Sequence, residues 1–101
     1  VTVVLDVFLE REDGTRIETA RDLQGAADWV MSRSDGTVCM QFIDPYGYTM
    51  FNRIQCGVLR DEWTRVLADA PAELQTWAAE AAGLIERCAA EFHLYVRFVG
   101  D

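Results

Sequence analysis

The feature that most constrains this chain is a turn near its middle. Asp44-Pro45-Tyr46-Gly47 places Asp first, Pro second and Gly fourth, the preferences of a type I turn followed by a bulge. The seven residues before it, Thr37 to Ile43, and the seven after it, Tyr48 to Ile54, are rich in apolar side chains. This spacing predicts a β-hairpin. With Asp44 opposite Tyr48, Phe42 meets Met50, Val38 meets Ile54, and Met40 meets Asn52 on the inward face. A chain that closes such a hairpin builds an antiparallel sheet around it.

Residues 1–10 alternate, with Val3, Leu5, Val7 and Leu9 on one face and Val4, Asp6, Phe8 and Glu10 on the other. Glu12-Asp13-Gly14 is a turn signal, and Thr15 to Thr19 a returning strand. A three-residue loop with Gly14 in the left-handed region opposes Leu9 to Ile17 and Glu10 to Arg16. A two-residue loop would oppose Leu9 to Glu18, and the three-residue register is the expectation. Thr19-Ala20-Arg21-Asp22 resembles a capping box with Asp in place of Glu. It predicts a helix to about Arg33 that buries Leu23, Ala26, Ala27 and Val30, with Met31 at the margin of that stripe, weakened at Gly25 by about 1 kcal/mol.

After the central hairpin, Gly57 breaks the strand pattern. A short helix then runs to about Ala68, its inner stripe Leu59, Trp63, Val66 and Leu67. Pro71 suits a first helical turn, and Leu74, Trp77, Ala78, Ala81, Ile85 and Cys88 follow at helical spacing to about Glu91. Phe92 to Val99 closes the chain as a strand, with Phe92, Leu94, Val96 and Phe98 inward and His93, Tyr95 and Arg97 outward. The predicted order is ββαββααβ. The expected architecture is a two-layer α+β sandwich, a mainly antiparallel sheet of about five strands with helices on one face. Residues 1–101 have room for one such domain.

Charge narrows the partners. Seventeen acidic residues face nine basic ones, a net charge of −8. That balance repels phosphate backbones and anionic bilayers, so neither nucleic acid nor membrane is an expected partner. A basic protein is electrostatically welcome. No apolar run approaches the roughly 20 residues of a membrane span. Twelve alanines and no lysine match the codon usage of a GC-rich bacterial genome. Cys39, Cys56 and Cys88 are odd in number and lack a CxxC pair, which points to free thiols in a reducing cytoplasm. The first residues show neither a basic n-region nor a cleavage site, so no signal peptide is expected.

Catalytic motifs are absent. His93 is the one histidine, on an outward strand position with no nucleophile or orienting carboxylate beside it, and reads as a surface-bonded side chain. The three cysteines and His93, spaced by 17, 32 and 5 residues, lack the close ligand pair of a zinc site. Asp61-Glu62 diverge on a helix, and Glu12-Asp13 serve a turn. Neither GxGxxG nor GxxxxGK occurs. No catalytic residue, metal or cofactor is therefore expected. Asn52 stands out, because the hairpin register buries its amide, which must then bond a loop, a helix end or a ligand.

The remaining candidate is the sheet face turned away from the helices. The registers place Val4, Phe8, Cys39, Ile43, Phe51, Tyr95 and Val99 there, rimmed by Arg53, Arg97, Glu10, Glu18 and Gln41. A contiguous apolar patch of this kind is a contact surface. Phe8, Ile43, Phe51, Tyr95, Val99, Arg53 and Arg97 are the expected partner-binding residues. The function this implies is a small acidic protein-binding or oligomerising module without catalytic activity. One form is an inhibitor or immunity-type protein that masks a basic partner, and another is a homodimer. The alternative is a ligand-binding protein or enzyme with a pocket between sheet and helices, lined by Trp63, Trp77, Met40 and Met50, with Asn52 as its polar group.

Overall fold

The computed structural model describes residues 3–101. It is an α+β fold with a four-stranded antiparallel sheet and three α-helices. Strands β1 (Leu5–Arg11) and β2 (Arg16–Ala20) are followed by helix α1 (Ala27–Ser32), strand β3 (Tyr48–Phe51), helices α2 (Arg53–Leu67) and α3 (Gln75–Ala90), and strand β4 (Leu94–Gly100). Single 3₁₀ turns occupy Met40–Phe42 and Ala72–Leu74. The strand order is β2-β1-β4-β3, so the last strand inserts between the first and the third.

Alternation explains the two central strands. Leu5, Val7 and Leu9 of β1 and Val96 and Phe98 of β4 are fully buried on the face that meets the helices. Helices α2 and α3 lie against each other and supply Leu59, Trp63, Trp77, Ala81 and Ile85 to the same core. The rings of Trp29, Trp63 and Trp77 meet edge-to-face with centroids 5.6–6.4 Å apart, an arrangement that aromatic quadrupoles favour. The Trp63 indole N–H donates to the Ala78 carbonyl at 2.9 Å, which ties α2 to α3.

Four expectations change. The first arm of the central hairpin is not a strand, so the sheet has four strands and the order is ββαβααβ. The turn itself forms, with Asp44 Oδ1 accepting the Tyr46 N–H at 2.9 Å. However, the N–H groups of Val38, Cys39 and Met40 all go to the Glu62 carboxylate on α2, and β3 pairs with β4 instead. The expected Phe42–Met50, Val38–Ile54 and Met40–Asn52 pairs are replaced by Met50–Arg97 and Phe51–Val96.

In the first hairpin, Glu10 does face Arg16, but Leu9 faces Glu18. A bulge absorbs the difference around Ile17, with Gly14 in the left-handed region at φ +88° as expected. The first helix is short. Ala20 ends β2, Gly25 turns left-handed at φ +93°, and Leu23 stands 78% exposed. Asp22 starts no capping box at Thr19; its buried carboxylate accepts the N–H groups of Leu5, Gln24, Gly25 and Ala26. Finally, α2 starts before Gly57. Asn52 is its N-cap, accepting the Gln55 N–H at 2.9 Å while the Gln55 side chain takes the Asn52 N–H, a reciprocal box that the sequence Asn-x-x-Gln encodes.

Candidate functional site

The outer sheet face carries Phe8 and Glu10 from β1, Tyr95, Arg97 and Val99 from β4, and Tyr48 and Met50 from β3. Phe8 lies opposite Arg97, Glu10 opposite Tyr95, and Tyr48 opposite Val99. Among the described residues no helix covers this face. Even so, Glu10 is only 3% exposed, because two arginines fold over it. Arg97 Nε lies 3.1 Å from one Glu10 oxygen and Arg16 Nε 3.7 Å from the other. The Arg16 guanidinium also sits 3.8 Å above the Phe8 ring, and that of Arg97 lies 5.6 Å from the Tyr48 ring. Each such cation–π contact is worth about 0.5–1 kcal/mol at an exposed site. The face is thus roofed by arginine near β1 and open near β3, where Tyr48 is 74% and Met50 46% exposed.

Beside the end of the sheet, Asn52, Arg53 and Tyr95 line a surface cleft of about 220 Å³ together with Glu12 and His93. Glu12 comes from the turn after β1, and His93 from the approach to β4. Their side chains meet with His93 Nδ1 2.7 Å from Glu12 Oε1. His93 is also the one described non-glycine residue with positive φ, at +65°, a sparsely populated conformation for such a residue. Arg53 lies 4.6 Å from the Phe92 ring, and Phe92, expected inside, is exposed.

Of the partner-binding candidates, Phe8, Tyr95, Arg97 and Val99 stand on the outer face, and Arg53 borders the adjoining cleft. Ile43 and Phe51 do not. Ile43 is buried in the core from the segment held by Glu62, and Phe51 points inward onto Phe98 with ring centroids 5.9 Å apart. The reason is parity. With β3 paired to β4, Phe51 shares the face of Val96, and Met50 and Tyr48 take the outward places. Asn52, expected on the buried face, is exposed and caps α2. Met50 is likewise outside, so Asn52 and Met50 do not line a cavity with Trp63, Trp77 and Met40. The signal missed for Tyr48 and Met50 was the pairing partner of β3. Nothing local marks the Glu12–His93 pair, whose members lie 81 residues apart.

The cysteines are free and buried. Burial, helped by the Glu62 carboxylate, raises the Cys39 thiol above its ordinary value. The hydrogen bond between Cys56 and Cys88 raises the first thiol and lowers the second. Inaccessible thiols are poor nucleophiles, whatever their protonation. Among the described residues no group of three or more His, Cys, Asp or Glu side chains converges as a metal site. Among the described residues no helix is long and apolar enough to cross a membrane. Comparisons of this chain with family models, with curated proteins and with solved structures found no match.

Proposed function

We propose that this chain is a small acidic protein-binding module without catalytic activity, and that the outer sheet face is its contact surface. The observation that carries the reading is the exposure of Tyr48 and Met50 beside Tyr95, Val99 and Arg97 on an uncovered face. Tyr, Met and Arg are the side chains enriched at interfaces, and a few aromatic or Arg anchors supply most of the binding energy. A net charge of −8 steers a basic partner toward the chain, the behaviour of an inhibitor or immunity-type protein. Three free, buried cysteines support a reducing cytoplasmic setting.

The test is capture of a partner on the immobilised protein from a lysate of its source organism, washed at low and then high salt. One basic protein should stay through high salt, and it should be lost with Tyr95→Asp while the melting temperature of the variant is unchanged. Retention of many basic proteins that leave together as salt rises would mean unspecific charge attraction. A second reading has the Glu12–His93 cleft bind a small ligand, with Arg53 as its charged contact. Under that reading Arg53→Ala abolishes ligand binding, and no protein is held in a Tyr95-dependent way.

A further inference from the structure

Among the described residues strand β3 is an edge of the sheet, paired only to β4. The Gly100 N–H donates to the Gly47 carbonyl at 2.8 Å, which sets the phase of the ladder. Bonded and non-bonded pairs alternate in an antiparallel ladder. Thr49 and Phe51 therefore turn their backbone groups toward β4, while Tyr48 and Met50 turn theirs outward. Among the described residues nothing bonds the N–H or C=O of Tyr48 or Met50. The neighbouring segment Phe42–Asp44 is held by the Thr49 hydroxyl instead, on the helix side of the sheet.

Open edges are ordinarily guarded by charge, proline or a bulge. The opposite edge follows that rule: β2 carries Arg16, Glu18 and a bulge. Tyr48-Thr49-Met50-Phe51 has none of the three and is guarded only by its four-residue length. From Val38 to Val58 only Asp44 and Arg53 are charged, and they cancel, so the whole net charge of −8 lies elsewhere. Among the described residues, seven of the ten large apolar side chains most open to solvent fall in this same span.

We propose that the β3 edge pairs with the β3 edge of a second copy of this chain, antiparallel and about a two-fold axis at Thr49. Tyr48 then lies opposite the partner's Met50, and Met50 opposite the partner's Tyr48, joining the two sheets into one. The charge distribution selects this occupant. A basic partner finds no opposite charge along β3, whereas two acidic copies meet here at the neutral strip that keeps their like charges apart. The inference goes beyond the protein-binding reading: the outer face is left to the basic partner, and the backbone edge of β3 takes a second copy.

Sedimentation velocity of the whole chain over a range of concentrations, at low and high salt, tests it. A dimer is expected that tightens with added salt, because screening removes the repulsion between two copies of −8. Met50→Pro removes the outward N–H without touching the β4 ladder, at an edge position where proline is tolerated. Met50→Lys sets a charge into the strip. Each should weaken self-association roughly tenfold or more while circular dichroism keeps the native signal. A monomer at every concentration in both salts, or a dimer untouched by both substitutions, overturns the inference. If that monomer still holds a partner in a Tyr95-dependent way, the protein-binding reading survives without it.

Discussion

The carboxylate of Glu62 receives the backbone N–H of Cys39 at 3.0 Å, across 23 residues of sequence. The same group accepts from Met40 at 3.1 Å and from Val38, so one buried side chain satisfies three consecutive amides. Consecutive N–H groups of a strand point to opposite sides and could not converge in this way. The Glu62 contact and a strand at Val38–Met40 are therefore exclusive alternatives.

Glu62→Ala should leave the buried Cys39 and Met40 amides unpaired, a loss of about 1–3 kcal/mol. Glu62→Gln keeps a neutral acceptor and should cost less. Urea unfolding of the two variants checks the order. Equal stability of Glu62→Ala and the parent would mean that the segment does not depend on this carboxylate.

Glu10 and Arg97 form the best-buried ion pair of the outer face, with the carboxylate only 4% exposed and the arginine 29%. A double-mutant cycle of Glu10→Gln and Arg97→Met should give a coupling of about 1 kcal/mol, above the usual exposed pair. The coupling should shrink only slightly in high salt, since buried pairs are screened less.

Asn52→Ala should destabilise the chain by about 1 kcal/mol through loss of the α2 cap. Because Asn52 caps a helix and does not face the outer sheet surface, capture of a protein partner should be unchanged. Loss of partner binding in a variant that still melts cooperatively would extend the contact surface into the Asn52–Tyr95 cleft.

The raised thiol of Cys39 gives stability a pH dependence with a definite sign. In the folded chain this group holds its proton above the ordinary thiol value of 9.0. The unfolded chain releases it there, so its contribution is complete at neutral pH and falls as pH climbs past about 9. Denaturation midpoints measured from pH 7 to 10 should decline on the alkaline side. A Cys39→Ala variant should show a flatter decline. In native buffer at pH 8 all three thiols should resist a water-soluble thiol reagent, and all three should react after unfolding.

Much of the inner architecture was written in local patterns. The alternation at Leu5, Val7 and Leu9 and at Leu94, Val96 and Phe98 placed the inward faces of β1 and β4, and with them the outward Phe8, Tyr95, Arg97 and Val99. The helical spacing from Leu74 to Cys88 described α3. The left-handed Gly14 and the Asp44 turn were also legible, because each depends on residues within a few positions.

What tertiary structure decided was which partner each polar backbone group would take. A period-two stretch needs a second strand, and Thr37 to Ile43 offers one to β3 locally. β4, arriving some fifty residues later, displaced it, while Glu62 took the amides the lost arm left free. That exchange turned Phe51 inward, Tyr48 and Met50 outward, and Ile43 into the core. A strand has two faces and only its pairing chooses between them. Asp22 acted similarly on the chain before α1, gathering four N–H groups where a helix start was expected. The sequence by itself determined which residues could be buried and where the chain could turn. Only the folded chain, by bringing distant carboxylates and a distant strand to unpaired amides, decided which of those possibilities became strand, loop and surface.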